Sequence, residues 1–158
     1  MIVGRFLALL LPILFFTPCV EAAFPFTGKV VAVLDGDTIE VLHNGKAERI
    51  RLNGVDCPEK KQAFGQKAKQ FTSSLVFGKT VVVVPIEKDR YKRIVGDVFL
   101  PNGVNVSYEL VRAGLGWWYR KYSEDVVLAV LELEARLERR GLWVDPAPVP
   151  PWEWRKRK

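Results

Sequence analysis

The sequence predicts an α+β fold in which five short strands curl into one barrel and three helices pack around it. Three observations carry that reading. The 158 residues, 49% of them apolar, suffice for one domain with a real core. Short β-branched runs punctuated by turn residues fill two stretches, roughly 26–52 and 80–100. A helical period of apolar residues lies between the third and fourth runs, and two more follow the fifth.

Residues 1–22 read as a secretory signal peptide. Arg5 supplies a positive charge, Phe6 to Phe16 is an apolar run broken by Pro12, and Val20-Glu21-Ala22 offers small residues at peptidase spacing. The run is shorter than the roughly 20 residues a membrane span needs. The mature form is therefore expected to have no stable span and to be secreted or periplasmic, where calcium is plentiful and ATP is not.

From Phe26 the pattern becomes a meander: Gly28 to Leu34, Thr38 to His43 and Ala47 to Leu52, separated by Asp35-Gly36 and Asn44-Gly45. Asn-Gly marks a tight hairpin because type I′ turns need positive φ at both central residues. His43, at its tip, reads as a solvated turn neighbour. Gln62 to Phe77 sets Phe64, Ala68, Phe71 and Leu75 on one helical face, with Gly78 as the residue that ends it. Thr80 to Ile86 and Ile94 to Leu100 are the fourth and fifth strands, joined by the charged loop 87–93.

Val106 to Ala113 forms a short helix stopped by Gly114, and Ser123-Glu124-Asp125 caps a longer one. The stripe Val126, Val130, Leu133 and Leu137 is expected to be core packing. The tail 145–158 carries Pro-rich and basic residues and is expected to lack regular structure. Its Arg155 to Lys158 cations should add salt-sensitive affinity away from the reaction. The element order is that of an OB-fold five-stranded Greek-key barrel, and the domain is bounded at 26–144.

Lysine and arginine number 24 against 18 acids, a net charge of +6, which suits an anionic partner such as nucleic acid or acidic lipid. Of the two cysteines, Cys19 falls in the leader. One thiol, Cys57, and one histidine, His43, cannot build a disulfide framework or an ordinary zinc site.

Three clusters bear chemistry. Asp35-Gly36-Asp37-Thr38 places two carboxylates at the first turn, as hard oxygen ligands or as a simple Asp-Gly turn. Arg51-Leu52-Asn53-Gly54-Val55-Asp56-Cys57-Pro58-Glu59 sends a guanidinium and two carboxylates off one strand end. Asp89-Arg90-Tyr91-Lys92-Arg93 adds further donors. Phosphodiester cleavage develops negative charge on phosphate oxygens, so it calls for forked donors, a cation, and a carboxylate near the attacking water. Trp117, Trp118, Tyr119 and Tyr122 beside Arg120 and Lys121 offer base-stacking rings or, for the tryptophans, core.

These motifs, with Val33-Leu34 ahead of the first cluster, Leu110-Val111-Arg112-Ala113-Gly114-Leu115 and Gly141-Leu142-Trp143, resemble the staphylococcal nuclease (thermonuclease) family from about Phe26 to Trp143. The resemblance implies an OB-fold endonuclease that hydrolyses DNA and RNA with Ca2+, with little sequence preference, leaving 3′-phosphorylated products and acting as a monomer. It makes Asp37 and Asp56 calcium ligands together with the Cys57 carbonyl. It makes Arg51, Glu59 and Arg93 catalytic, and Arg90, Tyr91, Tyr119 and Tyr122 substrate-binding, with Asp35 behind the ligands. Cys57 stands where the best-known member has threonine, Lys92 where glycine is usual, and the loop from Glu59 to Gly65 is shorter. The alternative from another class is a catalytically silent OB-fold module that only binds nucleic acid.

Overall fold

The computed structural model describes residues 24–157. The leader expected at 1–22 lies outside the described residues.

Five strands close a barrel: β1 (Phe26–Asp35), β2 (Thr38–His43), β3 (Lys46–Leu52), β5 (Thr80–Lys88) and β6 (Ile94–Phe99), in the order β1-β2-β3-β6-β5 with β5 returning to β1. All neighbours are antiparallel except β3 and β6, which run parallel with Arg51 opposite Val95. This is the Greek-key OB barrel that the element order predicts. Asn44 and Gly45 both have positive φ, 48° and 76°, as the Asn-Gly hairpin requires. His43 bonds the Thr27 carbonyl at 3.1 Å and lies against Phe26, so it ties the hairpin tip to β1.

Two short strands escape the sequence reading. β4 (Val55–Asp56) pairs with β7 (Trp117–Trp118), Val55 opposite Trp118. Two-residue strands carry no detectable period, yet this pair straps Asp56 to the aromatic run.

α1 (Gly65–Val76) starts three residues later than expected, with Phe64 in the left-handed conformation before it, and α2 (Val106–Arg112) falls where expected, Asn105 capping it by accepting the Ser107 and Tyr108 N–H groups. The core joins Val30, Ile39, Ile50, Leu52, Val83 and Val98 of the barrel to Ala68 and Val76 of α1, Leu110 of α2 and Leu128 of α3 (Val126–Leu137).

The apolar stripe assigned to α3 is corrected. Val126, Val130, Leu133 and Leu137 are exposed, at 72%, 54%, 56% and 76%, while Leu128, Leu131, Glu132 and Ala135 face inward. Both faces of this helix are apolar, and the inward one is disguised by Glu132. That buried carboxylate accepts the Trp118 N–H at 3.2 Å and the Arg120 guanidinium at 3.0 Å, so its charge is satisfied inside.

The tail is also ordered, contrary to expectation. After a 3-10 turn at Gly141–Val144, the prolines lead into a fourth helix, α4 (Pro151–Trp154), and a final turn, Arg155–Arg157. Proline at the first helical position is already shaped for the turn. Trp152 docks 5.5 Å from Trp117 and stacks on Tyr119 at 5.4 Å with 4° between planes. Burial of apolar rings supplies what the proline-rich composition conceals. Trp117, Trp143, Leu142 and Ala135 form the second core cluster beneath it. Among the described residues, no helix is long and apolar enough to cross a membrane.

Candidate active site

The β1–β2 turn, the end of β3, β4 and the β5–β6 loop open on one cavity of about 910 Å³. All ten residues singled out in the sequence line it: Asp37, Arg51, Asp56, Cys57, Glu59, Arg90, Tyr91, Arg93, Tyr119 and Tyr122.

Arg51 is the hinge of the site. It leaves β3 opposite Thr38, the first residue of β2, which puts its guanidinium beside the acids of the β1–β2 turn. Its Nη1 donates to the carbonyls of Leu52 (3.1 Å) and Val55 (2.7 Å). Its Nη2 meets Asp56 Oδ1 at 3.0 Å and Asp37 Oδ2 at 3.2 Å. Burial opposes its charge, yet Asp37 and Asp56 outweigh that and hold the guanidinium above its ordinary pKa.

Each acid is positioned by a different element. Asp37 accepts the Cys57 N–H at 2.6 Å and the Thr38 hydroxyl at 3.2 Å, which ties the first turn to the loop after β4. Burial, and behind it the Asp37 carboxylate, pushes the Asp35 carboxyl up to about 6. Burial likewise pushes the Asp56 carboxyl up, against the pull of the Arg155 hydrogen bonds.

Among the described residues, no group of three or more His, Cys, Asp or Glu side chains is gathered to hold a metal ion. The donor set nevertheless fits a hard cation. Asp37 and Asp56 converge on a single nitrogen, and both are carboxylates, the ligands calcium and magnesium take when water and backbone oxygens complete the shell.

Cys57 offers no thiolate. It is buried in the core, where burial pushes its thiol well above its ordinary pKa, and its sulfur packs beneath Gly36 and Gly116. Cys57→Thr is therefore expected to retain activity to within a few-fold, and a thiol reagent should leave the native protein unlabelled. Rapid labelling together with loss of activity on substitution would assign the sulfur a role.

Glu59 is held by its backbone. Its N–H donates to Gln62 Oε1 at 3.0 Å, and its carbonyl accepts the Gln62 N–H at 2.8 Å. Gly65 completes this short loop, since a Cβ there would strike the Glu59 carbonyl. Gly65→Ala should displace Glu59 and lower kcat by about 100-fold, the scale of a 1 Å misplacement. Unchanged turnover in a folded variant would free the loop of that duty.

Arg93 lies on the same wall but does not reach Asp37 or Asp56. Its Nε donates to Asp89 Oδ2 at 2.7 Å, and its guanidinium sits 5.4 Å from the Tyr91 ring centre. Burial raises the Asp89 carboxyl, but hydrogen bonds from Arg93 prevail and set it below its ordinary value. Lys92 has φ of 63°, the left-handed conformation that favours the glycine usual there.

Sequence reasoning missed two residues. Gln62 was read as helix, yet it braces Glu59 and also donates to the Val149 carbonyl at 2.6 Å. Arg155 was read as solvated tail, yet its Nη2 meets Asp56 Oδ2 at 2.9 Å and its Nη1 meets Glu59 Oε1 at 3.0 Å. The one available signal was the pair Trp152 and Trp154, large rings that need cover.

A five-stranded OB barrel whose mouth sets forked guanidinium donors among buried carboxylates defines an enzyme of the phosphodiesterase class. Comparison with known proteins makes that more particular. The model of the staphylococcal nuclease homologue family matches residues 49–145. An uncharacterized endonuclease of Escherichia coli is 56% identical over 131 residues, 83% of this chain and 86% of that protein. A micrococcal nuclease of Shigella flexneri is 42% identical over 147 residues, 87% of this chain and 84% of that protein. Staphylococcal-like nuclease CAN1 of Arabidopsis thaliana is 43% identical over 113 residues, 72% of this chain but only 35% of that longer protein. The chain belongs to the staphylococcal nuclease family.

Proposed function

We propose that this nuclease is an exported, calcium-dependent endonuclease that cuts both DNA and RNA with little sequence preference and leaves 3′-phosphorylated ends. The observation that carries the reading is the fastening of Arg51 between two buried carboxylates, in the same cavity as Glu59 and the Arg90–Arg93 loop. A barrel that only binds a polyanion gains nothing from burying acids at its mouth, since they repel phosphate.

In this reading Asp37 and Asp56, with the Cys57 carbonyl, hold the calcium ion. Calcium, when bound, supplies charge neutralisation at the phosphate. Arg51, whose two Nη groups are fixed by four acceptors, has its Nε–H left to meet a phosphate oxygen. Glu59 takes the proton of the water whose oxygen attacks phosphorus. The bond to the 5′ oxygen breaks, that oxygen leaves as a hydroxyl on gaining a proton, and the phosphate stays on the 3′ side. Arg93 and Arg90 meet phosphate from the facing loop, while Tyr91, Tyr119 and Tyr122 offer rings to sugar and base. The net charge of +6 favours capture of the strand.

The test is incubation of the purified protein with end-labelled DNA and RNA, with calcium or with a chelator. Cleavage of both polymers with calcium, loss of it with chelator, and 3′-phosphate termini are expected. Binding without cleavage in any metal would favour the silent module. Sequencing the N-terminus of protein recovered from the periplasm or medium tests export, with a start near residue 23 expected.

A further inference from the structure

Two guanidinium groups share Asp56, and they are not alike. Arg51 is only 12% exposed at its side chain and is also held by two backbone carbonyls. Arg155 is 40% exposed, and its partners in the pocket are Asp56 and Glu59, both carboxylates. It forks across Asp56, Nη1 to Oδ1 at 3.2 Å and Nη2 to Oδ2 at 2.9 Å, and reaches Glu59 with the first nitrogen. The segment that delivers it is four residues of helix and one 3-10 turn, outside the barrel strands and 99 residues from Asp56 in sequence. Such a segment can leave without opening the barrel. Its anchor is the Trp152 ring stacked on Tyr119, with Gln62 holding the Val149 carbonyl behind it.

We propose that the C-terminal segment Pro150 to Arg157 is an internal occupant of the active pocket, and that Arg155, which also holds Glu59, competes with the divalent cation for Asp56. This rests on the reading of Asp56 as a cation ligand. With Arg51 and Arg155 both on Oδ1 and Arg155 on Oδ2, little of Asp56 is left to face a metal, and a cation beside Arg155 would meet a like charge. Arg155 thereby neutralises the buried acid while the pocket waits. The segment departs when the ion arrives, which uncovers Tyr119 and frees Glu59. Trp152 sets how firmly the segment is seated, and so how much calcium is needed to displace it.

Calorimetric titration of calcium into the chain, with the segment 150–157 retained, tests this, comparing the parent with Arg155→Ala and Trp152→Ala. Arg155→Ala should bind calcium about tenfold more tightly, as for a site that is otherwise open one time in ten, and Trp152→Ala should shift affinity the same way by less. In the parent, hydrogen exchange over residues 150–157 should quicken when calcium is added, a readout that needs no variant to fold. Calcium binding equally well or more weakly in Arg155→Ala, or exchange that calcium leaves unchanged, overturns the competition and leaves the calcium reading standing. Calcium binding to neither parent nor variant overturns both.

Discussion

Glu59→Gln is expected to fold normally and to lose about 100-fold to 10,000-fold in turnover, the contribution of a positioned general base. The amide preserves the shape of the side chain, and the backbone bonds to Gln62 that hold the loop do not involve it. What it loses is the ability to take a proton from water. Single-turnover cleavage of a short oligonucleotide, beside a thermal melt, separates chemistry from folding. Turnover within a few-fold of the parent would remove Glu59 from the role of base. The variant also weakens one of the Arg155 contacts, so its calcium affinity should rise slightly, the opposite of what a simple loss of ligand would give.

Arg51→Lys should fail in two ways at once. An ammonium has the charge but not the planar fork, so it cannot serve the Leu52 and Val55 carbonyls together with Asp37 and Asp56. Losing a donor aimed at phosphate costs about 10²–10³ in kcat. Leaving buried carboxylates short of a partner costs about 3–5 kcal/mol of stability, the range for a broken buried pair. Arg93→Lys should lower activity while the melt barely moves, because Arg93 is paired on an exposed loop with Asp89. Denaturant unfolding and initial rates on both variants check the contrast. Equal stability losses would mean that Arg51 is not the keystone of the acid cluster.

The barrel and most of the pocket were legible in the sequence because local signals and global fold agree there. Asn44-Gly45 can only turn one way, and the alternation that ends at Leu52 fixes where Arg51 emerges. Three acids and the arginines came together because strand ends and turns at one barrel mouth are neighbours. The inward face of α3 was not legible, since its apolar residues sit on both sides and the decisive one, Glu132, is charged. The positions of Trp118 and Arg120, with Arg136 one turn along the helix, explain a buried glutamate. The tail was misread for a related reason. Proline-rich composition describes a chain with no partner, and Trp152 has one in Tyr119, 33 residues earlier in the sequence.

Calorimetry on Glu59→Gln, which destroys its ligand slowly, offers the most direct view of whether acids, cation and phosphate act as one site. Arg51 and Arg155 are committed to Asp37 and Asp56 until a cation joins them, so calcium should tighten the binding of a nucleotide with a 5′-phosphate. By linkage, that nucleotide should tighten calcium by the same factor. Equal and reciprocal gains are the result the nuclease site predicts. Nucleotide that binds with the same affinity whether or not calcium is present would contradict it, leaving Asp37 and Asp56 as turn-forming and arginine-anchoring acids on a barrel that merely binds.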